Sequence, residues 1–255
     1  MDARLDGTAA AITGAGSGMG RATATLFAEH GADVAVVDVD GDGARETADR
    51  IDSSDVPGSA IAVTADVTDA AAVEGFVDRT VEAFGAIDVL HNNAGIPMRS
   101  TPVEDVTEET WDRVLDVNLK SAFLGAKHAV PRMREGEGDG GVILNTASTA
   151  GIRPRTGLSA YCASKGGMIT LTKQLAHELA GDGIRVNAIC PVATDTEMLP
   201  QFAADELRVE DMLDTIPLGR LAEPTDIAEA ALFLASDAAS MITGTALEVD
   251  GGRDV

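Results

Sequence analysis

The chain has 255 residues, 45% of them hydrophobic, enough for one well-filled α/β domain with nothing in the composition to divide it. Its formal charge of -23 comes from 26 Asp and 16 Glu against 15 Arg and four Lys, which repels nucleic acid and anionic lipid and suits a halophilic, salt-rich cytoplasm. No apolar run reaches the roughly 18 residues a membrane helix needs, and no basic-then-apolar start marks a secretory signal, so the chain is expected to be cytoplasmic.

Seven short apolar runs rich in Val, Ile and Ala are expected as strands: 8–13, 33–38, 60–65, 87–91, 141–146, 185–189 and 246–249. Their continuous apolar character predicts burial on both faces. Segments of helical period stand between them, among them 69–84, 107–134, 158–180 and 224–235. Alternation of strand and helix implies a doubly wound parallel sheet, an α/β fold of Rossmann type in a single domain over 1–255. The stretch 191–218 breaks the rhythm, with a short helix expected around 199–213, and long excursions of this kind often serve as lids.

After the first expected strand comes Thr13-Gly14-Ala15-Gly16-Ser17-Gly18-Met19-Gly20, leading into a helical segment. Such a turn lets backbone approach a pyrophosphate, whose charge then meets the positive end of the helix. The spacing is TGxxxGxG, with Gly14, Gly18 and Gly20 at its glycine positions. Asp38 ends the second strand 18 residues past Gly20, where a carboxylate accepts hydrogen bonds from the adenosine ribose and repels a 2′-phosphate. No Lys or Arg lies within 14–20 or 37–41, so NAD is expected over NADP.

Ser148, Tyr161 and Lys165 form the second constellation, and Tyr161 is the only tyrosine. In a helix Tyr161 and Lys165 are i and i+4 neighbours, so the ammonium is expected to lower the phenol's pKa and make it a usable general acid or base. Cys162 and Cys190 have no partner pattern at zinc-ligand spacing, and the histidines at 30, 91, 128 and 177 are scattered. Both cysteines are expected to be reduced and buried, and no metal is expected.

Together these motifs resemble the short-chain dehydrogenase/reductase family in its classical form, over nearly the whole chain. Asp66-Val67, the NNAG of Asn92-Asn93-Ala94-Gly95, Asn118, the C-terminal PLGR, the ITG ending at Gly244 and the VDGG ending at Gly252 add to the likeness. The resemblance implies an oxidoreductase in which Tyr161 moves the proton, Ser148 holds the substrate oxygen, Lys165 lowers the tyrosine pKa and holds the nicotinamide ribose, and Asn118 holds a relay water. It implies cofactor contacts from Gly14, Ser17, Gly18, Met19, Gly20, Asp38, Asp66, Val67, Asn93, Ala94, Gly95, Tyr161, Lys165, Pro191, Thr194 and Thr196. It also implies a homotetramer acting on a small molecule, with neither nucleic acid nor membrane as partner.

One departure is Val192, where the family usually has glycine after the proline, so the local turn is expected to differ. Sugars, polyols and small hydroxy compounds are the expected substrates, with 3-oxoacyl-carrier-protein reduction as the alternative. A non-catalytic dinucleotide sensor would lack the tyrosine or the lysine, and an enoyl reductase would space them more widely. Arg99, Arg153 and Arg155 are candidates for an anionic substrate group or for offsetting the acidic surface.

Overall fold

Seven parallel strands form one sheet in the order β3-β2-β1-β4-β5-β6-β7 in the computed structural model, which describes residues 4–136, 140–202 and 212–254. The strands are β1 (Ala9–Thr13), β2 (Asp33–Asp38), β3 (Ala60–Thr64), β4 (Val89–Asn92), β5 (Gly141–Thr146), β6 (Ile184–Pro191) and β7 (Ala246–Val249). The helices are α1 (Gly18–Glu29), α2 (Gly41–Asp52), α3 (Ala70–Phe84), α4 (Glu108–Leu115), α5 (Ser121–Glu135), α6 (Ser159–Leu179) and α7 (Pro224–Ala235). This is the doubly wound architecture expected from the sequence.

Two apolar cores flank the sheet. Phe27 of α1, Ile51 of α2 and Ile227 of α7 lie in one, with Ile12 and Val34 from the strands. Phe76 of α3, Val130 of α5 and Leu179 of α6 lie in the other, with Leu90 and Ile143. The interior strands β1, β4 and β5 are buried nearly throughout. The edges depart from the expected two-sided burial: β3 is buried only at Ala60 and beyond it alternates half-buried and exposed positions, and β7 is only part-covered, because each has a neighbour on one side alone.

The chain order reverses between β1 and β4, which lie side by side with Ile12 opposite His91. Loops leaving the two strands therefore diverge and open a crevice at the carboxyl edge of the sheet. The expected single helix over 107–134 is divided. Asp116–Lys120 forms a π-helical turn between α4 and α5, a local widening often found at functional sites. Leu199–Phe202 forms a short 3-10 turn within the 191–218 excursion, and residues 203–211 of the helix expected there lie outside the described residues.

Candidate active site

The glycine turn fits a phosphate cradle. Gly14 and Gly18 take φ of 65° and 51°, and a side chain at Gly14 would put its Cβ 2.9 Å from Ala94 Cα. A Cβ at Gly20 would collide with the Gly14 carbonyl and lie 2.6 Å from Asn93 Nδ2. Ser17 caps α1 in extended conformation without spending its hydroxyl on the helix, and it lines the crevice at the positive end of that helix.

Asn93 pins this turn to β4. Its Nδ2 donates to the carbonyls of Thr13 at 3.0 Å and Gly14 at 3.2 Å, and its Oδ1 accepts from Thr146 Oγ1 at 3.2 Å. His91 Nε2 lies 2.9 Å from the same hydroxyl. Because that hydroxyl donates to Asn93, His91 must donate to it, which leaves Nδ1 bare and buried. Burial pushes the His91 pKa down to about 3, so the ring is neutral. The sequence offered no sign of this role, since it depends on strand pairing.

Asp38 stands at the end of β2. Its Oδ2 accepts from the Gly16 amide at 2.8 Å and its Oδ1 from the Asp40 amide at 2.9 Å, which fixes the carboxylate beside the crevice. Asp66 and Val67 line the same space, and hydrogen bonds from Thr68 hold the Asp66 carboxyl below its ordinary pKa. Gly14, Ser17, Gly18, Met19 and Gly20 form one wall of this cavity of about 810 Å³, and Ala94 and Gly95 form another. Arg21, one position past the glycine turn, also lines it. Its guanidinium is already engaged by Gly16 O, Thr47 Oγ1 and Glu46.

A second cavity, of about 290 Å³, adjoins the first through Met19, Asn93, Gly95 and Thr196, which line both. Ser148, Tyr161 and Lys165 lie on it, together with Pro191 and Thr194. Ser148 accepts from the Ala150 amide at 3.1 Å, capping the turn after β5, and its hydroxyl proton remains to donate. Phe202 packs edge-on against Tyr161 with ring centroids 5.0 Å apart, so the 191–218 excursion reaches the site.

The expected lowering of the Tyr161 pKa is corrected. Burial pushes the phenol up to about 12, against a smaller downward pull from a Ser148 hydrogen bond. Lys165 Nζ stands 5.8 Å from the ring centroid, is 3% exposed and donates to Thr146 O at 2.7 Å. Burial pushes this ammonium down to about 8. Desolvation dominates both groups, and at neutral pH the phenol keeps its proton.

Asn118, fully buried in the π turn, lines neither cavity. Its Oδ1 accepts from Ile96 N at 2.7 Å and its Nδ2 donates to Ile96 O at 3.0 Å, so the amide holds the loop after β4. Val192 is buried with no positive φ, and its amide donates to Val249 O, so valine is accommodated without backbone strain. Cys190 is buried as expected, whereas Cys162 is only part-buried.

A family model described as enoyl-(acyl carrier protein) reductase matches residues 14–254. D-threitol dehydrogenase of Mycolicibacterium smegmatis is 43% identical over 255 residues, covering 100% of this chain and 96% of its own. The 3-oxoacyl-[acyl-carrier-protein] reductase of Thermotoga maritima is 41% identical, covering 98% of each. The chain belongs to the short-chain dehydrogenase/reductase family. Among solved members, the 3-ketoacyl-(acyl-carrier-protein) reductase from Brucella melitensis complexed with NADH superposes with a TM-score of 0.92 at 45% identity, over 98% of this chain and 100% of that one. The protein is thus an oxidoreductase of the short-chain dehydrogenase/reductase family, and no described helix is long and apolar enough to cross a membrane.

Proposed function

We propose that the chain interconverts a secondary alcohol and a ketone with NAD, on a small polyol or similar hydroxy compound. The observation that carries this reading is the placement of Ser148, Tyr161 and Lys165 on one cavity adjoining the glycine cradle. The glycine cradle and Asp38 would hold a nicotinamide cofactor, which when bound would supply the hydride acceptor or donor. In the reductive direction the protonated Tyr161 gives its proton to the substrate oxygen and is left as phenolate, and in the oxidative direction that phenolate, once its own proton has gone to solvent, takes the alcohol proton. Ser148 donates to the same oxygen as charge develops. Lys165 holds a positive charge near the phenol and would hold a ribose hydroxyl of the cofactor, and Asn118 orders the loop after β4.

NAD is preferred because the Asp38 carboxylate disfavours a 2′-phosphate and the nearby Arg21 is committed to Glu46. The threitol dehydrogenase relative supports a polyol. The reductase from Thermotoga and that from Brucella favour acyl-carrier thioesters as the second reading. We place the enzyme as a homotetramer in a salt-rich cytoplasm, on its family and its acidic composition.

Initial rates read from NADH absorbance in molar KCl, with NAD or NADP and a panel of polyols, secondary alcohols and hydroxyacyl thioesters, test the reading. Turnover with NAD on polyols, lost in Tyr161→Phe while NADH still binds, is the expected result. Turnover undiminished in Tyr161→Phe would remove the tyrosine from the chemistry.

A further inference from the structure

The cavity holding Ser148, Tyr161 and Lys165 carries two more cations, and one of them makes no side-chain hydrogen bond or ion pair among the described residues. Arg155, from the loop after β5, and Arg253, from the turn beyond β7, both line it. The chain has 42 acidic residues against 19 basic, yet among the described residues no Asp or Glu lines this cavity.

The three arginines that the sequence offered for an anionic group separate clearly. Arg99 does not line the cavity. Arg153 is exposed and reaches Glu248 at 3.4 Å and Asp254 at 3.7 Å. Arg155 donates to both Asp254 oxygens, at 3.1 and 3.2 Å, and Asp254 is nearly buried. The Asp254 carboxylate is therefore already shared by two guanidiniums.

Arg253 is left over. Among the described residues its side chain makes no hydrogen bond and no ion pair, although it is part-buried. Burial disfavours its charge first and the Arg155 charge second, while Asp254 and Asp250 offset these more weakly. A part-buried charge of this kind is costly unless something completes it. Guanidinium presents a planar fork of donors that fits a carboxylate or phosphate two bonds at a time. Leu158, Leu199, Phe202 and Met212 supply apolar wall to the same cavity, and apolar surroundings strengthen any such bond.

We propose that Arg253, with Arg155 behind it, binds an oxyanion carried by the substrate, so that the small hydroxy compound acted on here is a hydroxy acid or a phosphorylated polyol rather than a neutral polyol. This rests on the oxidoreductase reading above and narrows its substrate class. Arg253 sets specificity and takes no part in proton or hydride transfer.

Three six-carbon probes of matched length separate the possibilities: sorbitol, D-gluconate and sorbitol 6-phosphate. Each is titrated calorimetrically into the full-length protein saturated with NADH, at fixed ionic strength. At least one anion is expected to bind about tenfold or more tightly than sorbitol. Gluconate in the lead identifies a carboxylate substrate, and sorbitol 6-phosphate in the lead a phosphorylated one. Arg253→Met is expected to erase the preference with NADH affinity unchanged, and Arg253→Lys to keep part of it. Sorbitol binding as tightly as both anions, binding by none of the three, or a preference that survives Arg253→Met overturns the proposal. Tyr161→Phe separates this from the parent reading: it should abolish turnover and leave the anion preference intact. Turnover that persists in it sinks the catalytic assignment while the anion site stands.

Discussion

Lys165 shows how far burial governs single residues here. Its ammonium is held by one carbonyl at 2.7 Å inside a nearly sealed environment, and its pKa falls from 10.5 to about 8. Between those values the unfolded chain binds more protons at this position than the folded one, so its contribution makes stability rise with pH through that window. Linkage gives a gain of about 1.5 kcal/mol between about pH 8 and about pH 9.5. Urea unfolding of wild type and Lys165→Met at both pH values should show wild type closing on or overtaking the variant by that amount, and parallel behaviour would refute it. Asp38 offers a second residue-scale prediction. Asp38→Asn keeps an acceptor for the Gly16 amide but loses the charge, so kcat/KM with NADP should rise about tenfold relative to NAD, equivalent to about 1.4 kcal/mol. An unchanged ratio would mean that the carboxylate does not choose the cofactor.

At the scale of elements, the glycine turn works because β1, α1 and β4 meet there with no room for a methyl group. Gly20→Ala would force the first turn of α1 away from the Gly14 carbonyl and the Asn93 amide, both of which are backbone or backbone-anchored. NADH affinity measured by fluorescence quenching should fall about tenfold or more with the fold retained by circular dichroism, whereas wild-type affinity would show that the cradle relaxes freely. This turn was legible in the sequence because its constraint is local: TGxxxGxG specifies the backbone by itself. The interior strands were legible for a similar reason, since burial on both faces leaves an uninterrupted apolar run, and the edge strands β3 and β7 misled through the same signal with only one neighbour present. Asn118 was legible as a position, but the π turn that carries it was not. Its geometry answers a demand from Ile96, which lies 22 residues earlier and meets it only in the folded chain. The Tyr161 pKa was misread for a related reason, because helical spacing reveals the cation one turn away and conceals the desolvation. Arg253 follows a strand and a glycine pair with no periodicity around it, and its want of an ion pair among the described residues is visible only once Asp254 is seen bound to Arg155.

Across the whole molecule, the charge of -23 sets a condition that no single pair relieves. Most ion pairs among the described residues are exposed, such as Arg79–Glu82 and Lys120–Asp116, and pairs of that kind contribute about 1 kcal/mol at most, less as salt screens them. With 42 acids and 19 bases the like-charge terms outnumber the attractive ones, so screening removes more repulsion than attraction. The Debye length shrinks from about 10 Å at about 0.1 M salt to about 3 Å at about 1 M, below the spacing of most surface charges. The urea midpoint should therefore climb steeply with KCl at low concentration and level off near molar salt, where screening is complete. A midpoint that falls with KCl would show that the attractive pairs dominate. A midpoint that rises linearly without levelling would assign the effect to general strengthening of apolar burial by salt and not to relief of self-repulsion.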